Sequence, residues 1–210
     1  MEPPSRPDPV LPAELAGWFA ARGWQLRRHQ AEVLGCPGHA LVMADTGAGK
    51  TLAGFLPTLA AFCPSRLGAE PPPRGVHTLY VSPLKALAHD VRRNLLDPIA
   101  ALGLKCRAEA RSGDTPAARK ARQRADPPEI LLTTPESLSL LLTWPEAENL
   151  FTGLQRIVID EIHALAESKR GALLALGMAR LRGFAPHARF VGLSATVARP
   201  DELLRYLTPE

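Results

Sequence analysis

At 210 residues and 46% hydrophobic content, the chain is long enough to bury the core of one domain and too apolar to be intrinsically disordered. A net charge of +4 with a pI near 9.2 permits binding to a polyanion without requiring it. Three scattered cysteines, Cys36, Cys63 and Cys106, form neither a disulfide framework nor a metal spacing, and no run approaches the ~20 apolar residues of a membrane span, so the expected setting is the cytoplasm, with no membrane partner.

The first ten residues, within MEPPSRPDPVLP, are too rich in proline for regular structure and read as a flexible tail. Leu11, Leu15, Trp18 and Phe19 recur at helical spacing, and Gly23 can end that helix. Trp18 and Phe19 read as core; for Trp24 two readings stay open, core packing or stacking on a base. The apolar run Ala40-Leu41-Val42-Met43 then leads into ADTGAGKT, residues 44–51, and on to Leu52, Phe55, Leu56 and Leu59 at helical spacing. Strand, glycine turn and helix together are the setting of a phosphate-binding loop. The N–H groups of Thr46, Gly47, Ala48 and Gly49 can converge on phosphate oxygens, and the two glycines let the backbone come close. Lys50 supplies charge at the β/γ-phosphates, and the Thr51 hydroxyl suits Mg²⁺. Ala44 stands where the strict pattern has glycine.

Arg66 to Gly75 reads as a surface loop. Six β-type runs alternate with helical patterns: 39–43, 77–81, 105–110, 130–133, 156–160 and 189–193. Helices are expected after Ser82-Pro83, interrupted near Pro98, and after Thr115-Pro116, Thr134-Pro135 and Ser168. This alternation specifies an α/β fold, a doubly wound, mostly parallel sheet with helices on both faces. Between Lys105 and Arg124 seven basic residues face two acids, which is either a solvated face or a phosphate-binding surface. His39, His77 and His187 flank strands and read as surface or capping histidines.

Asp160-Glu161-Ile162-His163 follows the buried run 157–159, at the strand end where such sheets bind ligands. Asp160 can hold Mg²⁺ through water, and Glu161 can orient or deprotonate a water that attacks the γ-phosphate. Ser194-Ala195-Thr196 follows another strand, where its hydroxyls can bond the acidic motif; His163 is a candidate for that coupling. Thr134-Pro135-Glu136 opens a helix whose free N–H groups are either an ordinary cap or an anion site for nucleic-acid phosphate. Ser82-Pro83-Leu84-Lys85 repeats that arrangement with a cation added, and Gly113-Asp114 turns beside the basic cluster.

Taken in order, His29-Gln30, ADTGAGKT, SPLKALAHD (82–90), SGD (112–114), TTPESL (133–138), DEIH (160–163) and SAT (194–196) resemble the first RecA-like domain of a superfamily 2 DEXH-box helicase. Within it, GDTPAARKARQR and DEIHALAESKRGALLALGMARL resemble the large helicase-related (Lhr) family, and DTGAGKT with SKRG its bacterial DNA-ligase-associated branch. The resemblance implies a RecA-like P-loop domain over residues 11–210 that binds ATP, Mg²⁺ and single-stranded DNA. It implies that Gln30 reads adenine, that Ser82, Pro83, Lys85, Gly113, Thr134 and Glu136 line a nucleic-acid track, and that His163, Ser194 and Thr196 couple the two sites. It also implies that the Ser194 strand lies between those of Lys50 and Asp160. Such helicases place a second RecA-like domain, with an arginine finger, after the Ser-Ala-Thr motif; the given chain carries none, so that domain is an expected partner, alongside a DNA ligase and a repair nuclease. Two other classes stay open: a catalytically silent module that holds nucleotide and DNA, and a stand-alone P-loop enzyme, which would leave TTPESL, DEIH and SAT unexplained.

Overall fold

The computed structural model describes residues 10–45, 47–67, 75–83 and 89–208. Residues 1–9 of the expected tail, Thr46, the Pro71-Pro72-Pro73 tract and Lys85 lie outside the described residues.

Six strands carry the fold: β1 (Ala40–Met43), β2 (Thr78–Val81), β3 (Ala108–Arg111), β4 (Ile130–Thr133), β5 (Arg156–Ile159) and β6 (Arg189–Ser194). They pair in the order β1-β6-β5-β2-β4-β3, and every pairing is parallel. The Ser194 strand, β6, therefore sits between β1, which leads to Lys50, and β5, which leads to Asp160, as the resemblance implies. The described helices are α1 (Ala13–Ala20), α2 (Arg28–Gly35), α3 (Lys50–Ala61), α4 (Pro64–Leu67), α5 (His89–Val91), α6 (Asp97–Leu102), α7 (Ala117–Ala125), α8 (Pro135–Leu142), α9 (Ala147–Phe151), α10 (Ile162–Ala166), α11 (Lys169–Phe184) and α12 (Pro200–Leu207).

Strand side chains alternate between faces, and this period builds two cores. Tyr80, Leu132, Val158, Val191 and Leu193 face one layer, with Leu15, Trp18, Phe19, Leu52, Phe55 and Leu59 of α1 and α3. Leu79, Val81, Leu131, Ile157, Ile159 and Phe190 face the other, with Leu138, Leu141, Ile162, Leu174, Met178 and Leu203 of α8 and α10–α12. Being buried on both faces, the central strands read as continuous apolar runs. No helix among the described residues is long and apolar enough to cross a membrane.

Five strands match expectation to within one residue at an end, and three other differences have a visible local cause. β3 starts at Ala108, not Lys105, because the Cys106 N–H bonds the Leu104 carbonyl and the Arg107 N–H donates to Glu129 Oε2 at 2.7 Å. α7 starts one residue late: Thr115 Oγ1 accepts the Ser112 N–H at 2.9 Å, closing a turn, and Pro116 takes the cap position. Pro98 does not interrupt its helix. A π turn over Arg92–Leu96, with the Asp97 N–H bonded to the Arg92 carbonyl, leads into α6 and accommodates the proline that lacks an N–H.

Candidate functional site

In a parallel sheet all strands end on one edge, and each motif follows a strand. The phosphate loop leaves β1, Ser-Ala-Thr leaves β6, Asp160 leaves β5, Ser82-Pro83 leaves β2, Thr134 leaves β4 and Ser112-Gly113 leaves β3. At about 4.8 Å per strand this line is about 24 Å long. The nucleotide-site candidates occupy its β1-β6-β5 half and the nucleic-acid candidates its β2-β4-β3 half. Backbone bonds extend the ladders into the motifs: Ala44 N–H to the Ser194 carbonyl, Asp160 N–H to the Val81 carbonyl, and Ser82 N–H to the Thr133 carbonyl.

A cavity of about 580 Å³ opens at the first half, lined by Gln30, Gly47, Gly49, Lys50, Thr51, Asp160 and Glu161. Gly47 and Gly49 take φ of 82° and 81°, the left-handed region where a Cβ is penalised. A Cβ on Gly49 would also stand 2.8 Å from Gln30 Nε2. Gln30 itself is buried; its Oε1 accepts the Arg27 N–H at 3.0 Å and its Nε2 donates to the Gly49 carbonyl at 3.3 Å, so it braces the loop. Lys50, 8% exposed, donates to the carbonyls of Ala44 and, at 3.0 Å, Asp45. Those bonds hold its ammonium at the loop mouth.

Asp160 is 6% exposed, and burial pushes its carboxyl pKa upward against the hydrogen bonds from the Tyr80 hydroxyl and the Glu161 N–H. No cation pairs with it among the described residues. A buried carboxylate lining the cavity that also holds the Thr51 hydroxyl is a hard-oxygen donor set. Mg²⁺ suits it, because that ion binds through one or two carboxylates plus the phosphates of its nucleotide. Glu161 has φ 48°, the sole positive-φ non-glycine among the described residues. Such backbone strain gathers at functional sites.

His163 joins the acidic motif to Ser-Ala-Thr. Its Nδ1 lies 3.1 Å from Ser194 Oγ and accepts the Ala195 N–H at 3.4 Å, and its Nε2 stands 3.3 Å from Glu161 Oε2. With Nδ1 accepting, the ring proton of the neutral tautomer sits on Nε2 and points at Glu161. Thr196 behaves differently from expectation: its hydroxyl donates to Asp45 Oδ1 at 3.3 Å, bonding the phosphate loop instead of the acidic motif.

At the other half, Ser82 is buried and Pro83 is half-buried. Thr134 caps α8 by accepting the Ser137 N–H. Glu136 pairs with Arg170 (Nη2 to Oε2, 3.0 Å), which holds its carboxyl below the usual range. The Gly113 carbonyl accepts Lys120 Nζ at 2.8 Å. The basic cluster is largely tied up. Arg107 pairs with Asp126 and Glu129, Arg122 with Glu109, and Arg124 with Glu146, while Arg111 is buried with its guanidinium 4.5 Å from the Trp144 ring centroid. Lys105 and Arg119 remain exposed without an ion pair among the described residues. Most of this run is therefore a structural face.

Sequence reading missed Arg27, Asp90, Arg93 and Asn94, which also line the cavity, and Tyr80, whose buried hydroxyl donates to Asp160. A tyrosine inside the apolar run Leu79-Tyr80-Val81 was the available signal, since a buried hydroxyl needs a partner. Trp24 packs edge-on against Trp18 and Phe19, as its core reading expects, and also lines the cavity. His77 is not a surface residue. It is buried, bonds Thr78 Oγ1 at 2.8 Å, and burial lowers its pKa to about 4.

Comparison with known proteins follows the same arrangement. The chain is 45% identical over 179 residues to the Lhr helicase/probable uracil glycosylase of Mycolicibacterium smegmatis, and 43% identical over 186 residues to the Lhr helicase/uracil glycosylase of Escherichia coli. Each alignment covers 80% of this chain and 12% of the relative, so the chain spans about an eighth of their length. The solved structure of Mycobacterium smegmatis helicase Lhr bound to ssDNA and AMP-PNP superposes with a TM-score of 0.85 at 38% identity, covering 97% of this chain and 27% of that one. The model of the DEAD/DEAH box helicase family matches residues 27–203, the span from the residue that caps the Gln30 helix to the helix after Ser-Ala-Thr, and the chain belongs to that family.

Proposed function

We propose that this chain is the ATP-binding half of an ATP-dependent nucleic-acid helicase or translocase, and that its nucleic acid is single-stranded DNA. The observation that carries the reading is the division of one sheet edge into a half that carries the phosphate-loop, acidic and Ser-Ala-Thr motifs and a half that carries Ser82-Pro83, Thr134 and Gly113, adjoining at β5 and β2. The Lhr relatives are helicases, and one of them has been seen with ssDNA and AMP-PNP, which supports the same ligands here.

In this reading Lys50 and the loop N–H groups hold the β/γ-phosphates, and Gln30 meets the adenine edge with the N–H and lone pair it keeps free. Thr51 and Asp160 hold Mg²⁺, which when bound offsets charge on the phosphate oxygens. Glu161 accepts the proton of the attacking water, and His163 orients Glu161 and reports its state to Ser194. DNA phosphates run past Ser82-Pro83, Lys85, Gly113 and the N-terminus of α8, where the Arg170 ion pair offsets the negative charge of Glu136. A second RecA-like domain supplies the facing wall and the arginine finger.

The test is a titration with a fluorescent ATP analogue and with single-stranded DNA. Lys50→Ala is expected to weaken analogue binding at least about tenfold, the scale of one lost hydrogen bond to a charged group, with the domain still folded. Equal affinity in the variant refutes the phosphate-loop assignment. DNA affinity that does not fall with salt refutes the phosphate track.

A further inference from the structure

Tyr80 is fully buried within β2, the strand of the second half that borders β5 of the first. Its hydroxyl donates to Asp160 Oδ2, while Asp160 Oδ1 accepts the Glu161 N–H at 2.9 Å. One bond on each oxygen fixes the rotation of the carboxylate and leaves each oxygen a lone pair for a further partner. The ring is itself held. Phe55, buried on α3 one turn beyond Lys50 and Thr51, stacks on it with centroids 4.8 Å apart and planes 26° from parallel. Phenylalanine would fill the same apolar space at β2 without burying a hydroxyl against a carboxylate, so packing alone does not account for the tyrosine.

These contacts form a strut. The phosphate-loop helix carries both Thr51, which lines the cavity, and Phe55, which stacks on Tyr80; Tyr80 in turn bonds Asp160, which lines the same cavity. We propose that Tyr80 is a positioning residue for the cation site: its hydroxyl, backed by Phe55, sets the orientation of Asp160 relative to the phosphate loop, so that carboxylate and Thr51 hydroxyl meet one Mg²⁺. The inference rests on the Mg-ATP reading of the cavity.

The experiment titrates the 210-residue chain and its Tyr80→Phe variant with a fluorescent ATP analogue, first in EDTA and then across Mg²⁺ concentrations, and follows Mn²⁺ binding to the nucleotide complex by electron paramagnetic resonance. Tyr80→Phe is expected to leave affinity in EDTA unchanged and to raise the Mg²⁺ concentration at half-saturation about tenfold, the lower range for a hydrogen bond to a charged group. The Mn²⁺ signal of the complex should weaken in parallel. Identical Mg²⁺ dependence in both proteins overturns the proposal. A loss of affinity that is equal with and without the metal also overturns it, because that is what a purely structural role gives. Failure of the unaltered chain to bind the analogue at all refutes the ATP-site reading, a distinct outcome that removes the inference with it. Should Tyr80→Phe not fold, Phe55→Leu keeps the hydroxyl and removes the flat face behind the ring. It is expected to raise the half-saturation concentration about threefold, the scale of an aromatic pair, and no rise overturns the strut.

Discussion

Gln30→Ala separates two roles that one side chain combines. The amide braces the loop through two hydrogen bonds, from the Arg27 N–H at 3.0 Å and to the Gly49 carbonyl at 3.3 Å. At about 0.5–1.5 kcal/mol net each, their loss should destabilise the domain by about 1–3 kcal/mol. For a domain of this size each kcal/mol is worth about 2–4 °C, so the melting temperature should fall by between about 2 and 12 °C. Base reading is a separate effect. An amide has two N–H donors and two acceptor lone pairs, and only one of each is engaged within the protein. The free pair matches the donor and acceptor on the edge of adenine and mismatches guanine. The variant should therefore bind an ATP analogue about tenfold more weakly while its affinity for the GTP analogue changes little. Calorimetry and paired titrations with the two analogues read both effects. An unchanged melting temperature refutes the bracing; equal loss for ATP and GTP refutes the base reading and leaves Gln30 a purely structural residue.

The remaining expectations follow from the same geometry. Glu161→Gln keeps shape and removes the basic oxygen, so nucleotide affinity should hold while single-turnover hydrolysis falls by about 10²–10³; an unchanged rate would exclude Glu161 as the base. Arg170→Ala should weaken binding to single-stranded DNA several-fold, on the order of one lost charge contact, because Glu136 would then stand unpaired at the N-terminus of α8. Unchanged DNA affinity at low salt would remove that helix end from the track. His77 is neutral in the folded chain down to a pKa of about 4, whereas unfolded histidine titrates near 6.5. The unfolded state therefore takes up the proton first as pH falls, and stability present above pH ~6.5 is lost on the way down toward pH ~4. Between pH ~7 and ~5 this amounts to about 2 kcal/mol, and burial also lowers the pKa of His29 and His39, in the same direction. Urea unfolding at the two pH values should show the loss, and His77→Asn should abolish most of the His77 share.

What the sequence displays and what it hides divide along physical lines. The six strands were legible because a parallel sheet buried on both faces needs unbroken apolar runs, as in Ile157-Val158-Ile159. The site motifs were legible because each joins a strand end to a helix start, where glycine, a capping hydroxyl or a carboxylate is demanded locally, as at Gly49 and Thr134. The β3 boundary was not, since it depends on Glu129, 22 residues away in sequence, taking the Arg107 N–H. The basic run misleads for the same reason: Arg107, Arg122 and Arg124 look available until Asp126, Glu129, Glu109 and Glu146 are brought against them by tertiary packing. Tyr80 is the sharpest case. Its partner Asp160 is 80 residues away, and only the β2–β5 pairing puts the two side by side. A polar atom inside an apolar strand tells the reader that a partner exists; it takes the strand order to say which, and here the partner is the carboxylate on which the proposed chemistry depends.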